Sequence, residues 1–278
     1  MEMSTYDYLE KTGREIIEEG GEIRTPARVR RDKAYKRKLK QMENYNQEHF
    51  TAFHDKECSL AYNTLTLELA GVLLNMFAYM EKGESGQLKF EGKRMGVKEL
   101  SKILGKSERT VKRYLNELEA LGYIEAEKEG KRKVYSVDTR LANRGKRVAK
   151  GYFTKLYIVR LRDALKAMTI QEAGLLFFMI PHMNTRAFVL CSNPYETDLE
   201  KIELWTREQL AESAGLSLVQ VKRLVSSLMK KQVLLSVTTH RTAIILSPEL
   251  ISRQTTKISA YEIAQILRNK VNGSEVSW

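Results

Sequence analysis

The side chains best suited to chemistry lie between Ser107 and Lys133, and that chemistry is charge pairing and hydrogen bonding rather than bond making. Arg109, Thr110, Lys112, Arg113 and Asn116 fall on the outward face of one amphipathic stretch just after Ser107, and Lys128, Lys131, Arg132 and Lys133 surround a turn where no core demands them. Such a density of guanidinium and ammonium groups suits a polyanion, through phosphate contacts and through base edges that arginine and asparagine read with paired hydrogen bonds. Bond making finds no comparable set of residues. Gly105-Lys106-Ser107 looks like the tail of a phosphate-binding loop, but the position five residues before Gly105 is Leu100, where such a loop needs glycine. His49, His54, His182 and His240 form no HxH pair, and no Ser/His/Asp or paired-carboxylate set stands out among 35 acidic residues. Thirteen tyrosines leave a tyrosine nucleophile open on count alone, without the metal cluster it would need. A non-enzyme with no cofactor and no metal site is expected.

These residues need a frame. Val97, Leu100, Ile103 and Leu104 repeat at helical spacing and stop at Gly105; the period resumes in Val111, Leu115, Leu118 and Leu121 and stops again at Gly122. The pattern predicts helix, tight turn, helix, with Ser107 as the N-cap of the second helix. Beyond Gly122 the period changes to two through Tyr123 and Ile124, a turn at Glu129 and Gly130, and a returning run from Lys131 to Val137. That is a winged helix-turn-helix, whose second helix enters the DNA major groove while the hairpin touches the backbone. The competing reading is a solvated helical hairpin; the wing cations favour double-stranded DNA.

With 278 residues the chain has room for two domains, and 42% hydrophobic content allows each a core. The formal charge of +12 favours nucleic acid first and an anionic membrane second. Cys58 and Cys191 have no CxxC partner, so neither a disulfide framework nor a zinc site is supported, which fits a reducing bacterial cytoplasm. The first residues lack the basic and then apolar segments of a signal peptide. The most apolar runs, Leu65 to Met80 and Met168 to Met183, are interrupted by Glu and too short to span a bilayer. A soluble protein at the nucleoid or a plasmid is expected, with no membrane partner. The first 22 residues carry seven acidic and two basic side chains, and Ile23 to Gln41 nine basic and one acidic. Residues 1–48 are therefore expected to be a flexible charged arm, either lying along phosphates or solvated.

The chain also repeats itself. Sliding it by 103 residues lays Phe50 and Thr51 on Phe153 and Thr154, Ala61 on Ala164, Thr66 on Thr169, Ala70 and Gly71 on Ala173 and Gly174, and Met76 and Met80 on Met179 and Met183. Seven more residues of offset lay Gly105 on Gly215, Ser107 on Ser217, and Val111, Lys112 and Arg113 on Val221, Lys222 and Arg223. The expected fold is mainly α with small β-hairpins, an α+β chain of two winged helix-turn-helix domains in tandem. They would span residues 49–145 and 146–254, followed by a C-terminal helix over 255–278. Each copy should open on an apolar helix, packed closely at Gly71 or Gly174, and continue into a short strand, Gln87 to Met95 in the first copy. In the second, Ala187 to Cys191 and Ile202 to Trp205 flank a polar insert. The second copy's candidate contacts are Ser217, Gln220, Lys222 and Arg223, with Arg241 beside His240 at its wing tip. Leu218 and Val219 stand where the first copy has Glu108 and Arg109, and suit either thymine methyl groups or another protein surface. The linker Leu141 to Lys150 reads as a hinge or a phosphate track. Ser259 and Glu262 form a capping box before an apolar stripe, Ile263, Ile266, Leu267 and Val271, which either packs on its own domain or pairs two chains as a homodimer.

YFTKLY, with HFTAFH in the first copy, followed by the apolar helix, the helix-turn-helix, the hairpin and the closing ILSPELISR, resembles the RepL-type winged-helix replication initiators of small Firmicute plasmids and related phage proteins. The likeness runs from Tyr152 to Gln254 and more weakly from His49 to Gly145; the doubling departs from that family's single module. The resemblance implies an origin-binding initiator that recruits host replication proteins and performs no catalysis. A transcriptional regulator of a mobile element, and a DNA-bound interaction scaffold of helicase-loader type, stand as alternatives.

Overall fold

HFTAFH, expected to lead into an apolar helix, is extended: in the computed structural model β1 spans Phe50–His54, and the chain turns helical only afterwards. The first copy continues as α1 (Asp55–Leu60), α2 (Leu67–Phe77), β2 (Lys89–Phe90), β3 (Lys93–Arg94), α3 (Val97–Leu104), α4 (Glu108–Ala120), β4 (Ile124–Glu129), β5 (Arg132–Val137) and β6 (Ala142–Asn143). The second runs β7 (Phe153–Tyr157), α5 (Ile158–Ala167), α6 (Ile170–Met179), α7 (Arg207–Ala214), α8 (Leu218–Lys230), β8 (Leu234–Thr238), β9 (Thr242–Leu246) and β10 (Ile251–Ser252). The architecture mixes helices with small antiparallel sheets, an α+β arrangement. The structure describes residues 49–83, 85–145, 151–238 and 242–254, with 30, 33, 258, 259, 261–263 and 265. Two compact units divide the chain, residues 1–47 and 48–278. Of the arm before His49 only Arg30 and Lys33, both helical, are described; the rest of the arm, linker residues 146–150, the second wing tip with Arg241, and most of 255–278 lie outside the described residues.

Within the second unit the two copies are joined through one four-stranded antiparallel sheet in the order β10-β7-β1-β6. The register of β1 on β7 is self-complementary. Ala52 faces Lys155, its own counterpart in the repeat, while Phe50 faces Tyr157 and His54 faces Phe153. The flanking strands follow the same rule, since Asn143 pairs with Ala52 and Ser252 with Lys155. A local two-fold axis therefore passes between Ala52 and Lys155.

The helix pair over that sheet obeys the same axis. Thr66 and Thr169 cap α2 and α6 through the Leu69 and Glu172 amides, at 3.3 and 3.2 Å. A Cβ on Gly71 would stand 2.0 Å from the Ile170 carbonyl oxygen, and one on Gly174 would stand 1.9 Å from that of Leu67. Each helix thus rests its glycine on the first turn of the other. Phe53 of β1 meets Phe77 and Phe177 edge-on at 6.0 and 5.2 Å. Carbonyls at the ends of these helices are closed by side chains from the opposite copy: Arg162 donates to Ala78, at 2.7 Å, and Tyr62 to Phe178, at 2.6 Å. Arg253 donates to the carbonyls of Met183, Ile180 and Pro181 and to Thr154 Oγ1, and its Nη2 lies 3.1 Å from Asp55 Oδ2 with both side chains buried. That approach is poorly aligned, so Oδ2 accepts no hydrogen bond.

Three local expectations are corrected. The strand expected from Gln87 to Met95 is broken into β2 and β3 by Glu91 and Gly92, both at positive φ. The first wing turns at Gly130 and Lys131 rather than Glu129 and Gly130, because Glu129 pairs with Arg132; glycine with φ +63° at the first turn position suits a two-residue hairpin. The stretch from Ala187 to Cys191 forms isolated bridges to Met183, Leu204 and Ile245 rather than a strand. At the C-terminal end Ser259 and Glu262 do cap each other, and Ile263 is buried against the core.

A half-buried histidine makes stability depend on pH. His182 stacks on Trp205 with centroids 4.0 Å apart. Burial, aided by the Arg253 charge, pulls its pKa from the usual 6.5 to about 4. The unfolded chain then takes up a proton below about pH 6.5 that the folded state refuses, so stability falls as pH drops from about 6.5 toward 4, by roughly 2–3 kcal/mol. Asp55 acts in the opposite sense, its carboxyl raised by burial against the Arg253 charge, and this contribution cancels when two chains sharing Asp55 are compared. Urea titrations across that window should show a flatter pH slope for His182→Gln than for the native chain; identical slopes would rule His182 out as the cause.

Candidate nucleic-acid interface

Gly105 and Gly215 set the angle between the paired helices. Both take left-handed backbone, φ +59° and +62°, with open space where a side chain would stand, so conformation rather than crowding selects glycine. Two residues later Ser107 Oγ accepts the Thr110 amide at 3.3 Å, and Ser217 Oγ accepts the Gln220 amide at 3.3 Å. In the second copy Gln220 Oε1 returns the bond to the Ser217 amide and hydroxyl, at 3.2 and 3.0 Å, so the amide expected to meet a base is held in a capping box. Thr110 likewise turns its hydroxyl to Ser107 Oγ, at 2.9 Å.

The buried stripe of α4 is Val111, Tyr114, Leu115 and Leu118. Arg109, Lys112, Arg113 and Asn116 are all exposed, at positions i, i+3, i+4 and i+7 of one helical face. Lys112 and Asn116 border a groove of about 550 Å³ closed on its other sides by the start of α3 and by the wing. Its lining carries five cations, Lys98, Lys112, Lys131, Arg132 and Lys133, against the carboxylates of Glu99 and Glu108, so the groove is electropositive. Lys98 was not legible as a contact because it opens the first helix of the pair, and only the fold brings that end to the wing.

Carboxylates temper part of this charge. Arg132 pairs with Glu129 at 2.6 Å and Glu99 at 3.6 Å, Lys133 with Glu119 at 3.6 Å, and Arg113 with Glu117 at 3.7 Å. These pairs are solvent-exposed in part and individually weak, so a phosphate can replace them. Burial acts to raise the Glu99 pKa, but the Gly96 amide and the charges of Arg132 and Lys98 outweigh it, and the group stays ionised. Among the described residues Arg109, Lys112, Lys128 and Lys131 have no carboxylate within 4 Å. Lys128 also faces Lys133 directly across the hairpin, a like-charge pair that disfavours the free wing and that an anion would relieve.

Residues 63–124 match a helix-turn-helix domain family. The match runs from Asn63 through α2, α3 and α4 to the first residue of β4. It takes in the first copy's helix pair with the supporting apolar helix, and supports DNA binding by that segment. No curated protein and no solved structure matches the chain.

The second copy supplies a different surface. Lys222 and Arg223 are exposed on α8, as their counterparts are on α4. Arg223 borders a cleft of about 440 Å³ together with Lys106 and Tyr114 of the first copy and Glu68, Glu172 and Ser227. Glu68 and its repeat counterpart Gln171 meet in that cleft through a 2.7 Å hydrogen bond. The cationic surface of α4 is thus bounded by its own wing groove on one side and by a cleft shared with α8 on the other. No described helix is long and apolar enough to cross a membrane, and among the described residues no cluster of His, Cys, Asp and Glu could hold a metal. Cys58 and Cys191 are buried free thiols whose pKa burial raises, to about 11 for Cys191.

Proposed function

We propose that this chain is a sequence-specific double-stranded DNA-binding protein with two winged helix-turn-helix units, of which the first supplies the stronger grip. The observation that carries the reading is the exposed face of Arg109, Lys112, Arg113 and Asn116 beside a wing whose Lys128 and Lys131 are exposed and, among the described residues, meet no carboxylate within 4 Å. Side chains in that arrangement fit a helix laid in the major groove, with arginine and asparagine toward base edges and the wing lysines toward phosphates. Replacing Lys112 and Arg113 together by alanine should weaken specific binding about 100-fold, as expected for the loss of two charge-assisted contacts. The matching change at Lys222 and Arg223 should cost about tenfold or less, since the second helix presents Val219 in place of Arg109. Fluorescence anisotropy at fixed salt measures both. Equal losses would remove the asymmetry, and undiminished binding in both variants would remove the groove reading altogether.

Within that reading the biological role we assign is replication initiation on a plasmid or phage, by origin binding and recruitment of host replication proteins. Its support is the resemblance carried by YFTKLY and ILSPELISR. Mapping the bound sites across a host and its mobile elements tests it: iterated sites beside an AT-rich region agree with an initiator, and sites overlapping promoters would assign the chain to transcriptional regulation instead.

A further inference from the structure

This inference rests on the DNA-binding reading and concerns how the two second helices share one duplex. Two helix-turn-helix units in a single chain could grip direct or inverted repeats, and the operation relating them decides which. The elements that carry the two units are related by a two-fold rotation, seen in the register of Ala52 on Lys155, the crossing of Gly71 with Gly174, and the hydrogen bond of Gln171 to Glu68, its own counterpart. Beside that last bond α4 and α8 border the same cleft, lined by Tyr114 and its counterpart Leu224. Helices related by a two-fold axis fit a duplex whose local dyad coincides with that axis, and they then read its two strands in opposite directions.

The two halves are chemically unlike at one decisive place. Arg109, at the front of α4, has Val219 as its counterpart at the front of α8, and Val219 is 77% exposed. The backbone beneath each is held by the same serine cap. A guanidinium reads guanine through O6 and N7, whereas a branched alkyl group offers no hydrogen bond and complements only the thymine methyl in the major groove. We infer that one chain recognises an imperfect inverted repeat, with guanine read by Arg109 in one half-site and thymine met by Val219 at the matching position of the other.

The experiment is selection of sites by the full chain from a random duplex library, followed by binding measurements on altered sites. An inverted pair of half-sites with guanine in one and thymine in the other is the expected consensus. Turning one half-site around, or inserting about half a helical turn between them, should weaken binding about tenfold or more. Replacing the critical thymine by uracil removes only the methyl group and should weaken the native chain about fourfold, leaving Val219→Ala indifferent. A direct-repeat consensus, a symmetric palindrome with guanine in both halves, or a uracil effect that is absent or equal in both chains would overturn the inference. Failure to select any sequence would instead overturn the DNA-binding reading on which it stands.

Discussion

Gly71→Ala should unfold the chain far more readily than its single added methyl suggests, with a loss of about 3 kcal/mol or more at the upper end of overpacking effects. The obstacle is the Ile170 carbonyl oxygen, 2.0 Å from where the methyl carbon would stand. It cannot swing aside as a side-chain tip could, because Ile170 is the first residue of a helix whose start is fixed by reciprocal hydrogen bonds between Thr169 and Glu172. The two helices must part by about an ångström, and every contact along their crossing weakens at once. Gly174→Ala meets the Leu67 carbonyl in the same way and should cost a similar amount. Because either change alone already forces the pair apart, the double variant should lose clearly less than the sum of the two. Chemical denaturation gives all three values, and strict additivity would contradict this account of the crossing. Gly105→Ala is the contrast: the space is open and only the left-handed conformation resists, so roughly 1–2 kcal/mol is expected.

Arg253→Met is expected to cost about 3–5 kcal/mol, the range for removing one partner of a buried ion pair. The change leaves the Asp55 carboxylate buried without its cation, and three carbonyls at the end of the α6 segment lose a donor. Asp55→Leu made together with Arg253→Met should recover part of that loss, since no buried charge is then left unpaired, but not the part due to the carbonyls. A double variant no more stable than Arg253→Met alone would place the whole role of Arg253 in closing the helix end. Thermal or urea unfolding reads the difference directly.

Several parts of this arrangement were legible in the sequence because they are local. The pauses at Gly105 and Gly215, the serines two residues on, and the change of period after Gly122 each depend on a few neighbouring residues, and the helices and hairpins form there. The exposed face of Arg109, Lys112, Arg113 and Asn116 follows from the same periodicity. What escaped is long-range. Phe50–His54 and Phe153–Tyr157 are covered on both faces, so they lack the polar and apolar alternation that marks a half-exposed strand, and five residues are too few to separate strand from helix by period. Their pairing joins residues about a hundred positions apart, as does the contact of Asp55 with Arg253 over a still longer interval. Gln220 is ambiguous for a different reason: its residue type suits an adenine, and three residues after a serine it is equally suited to the capping box in which it is found.

The shared sheet carries a consequence for the polarity of the proposed DNA complex. A pair of identical subunits on a palindrome presents the same aspect to either flank, so a third molecule has no means of telling upstream from downstream. Here the two halves are covalently one polypeptide and differ in sequence, Arg109 against Val219 for one, while β1 and β7 hold them in register. On the proposed reading of an inverted repeat, the bound chain would therefore act as an arrow laid on the duplex, marking one side as different from the other.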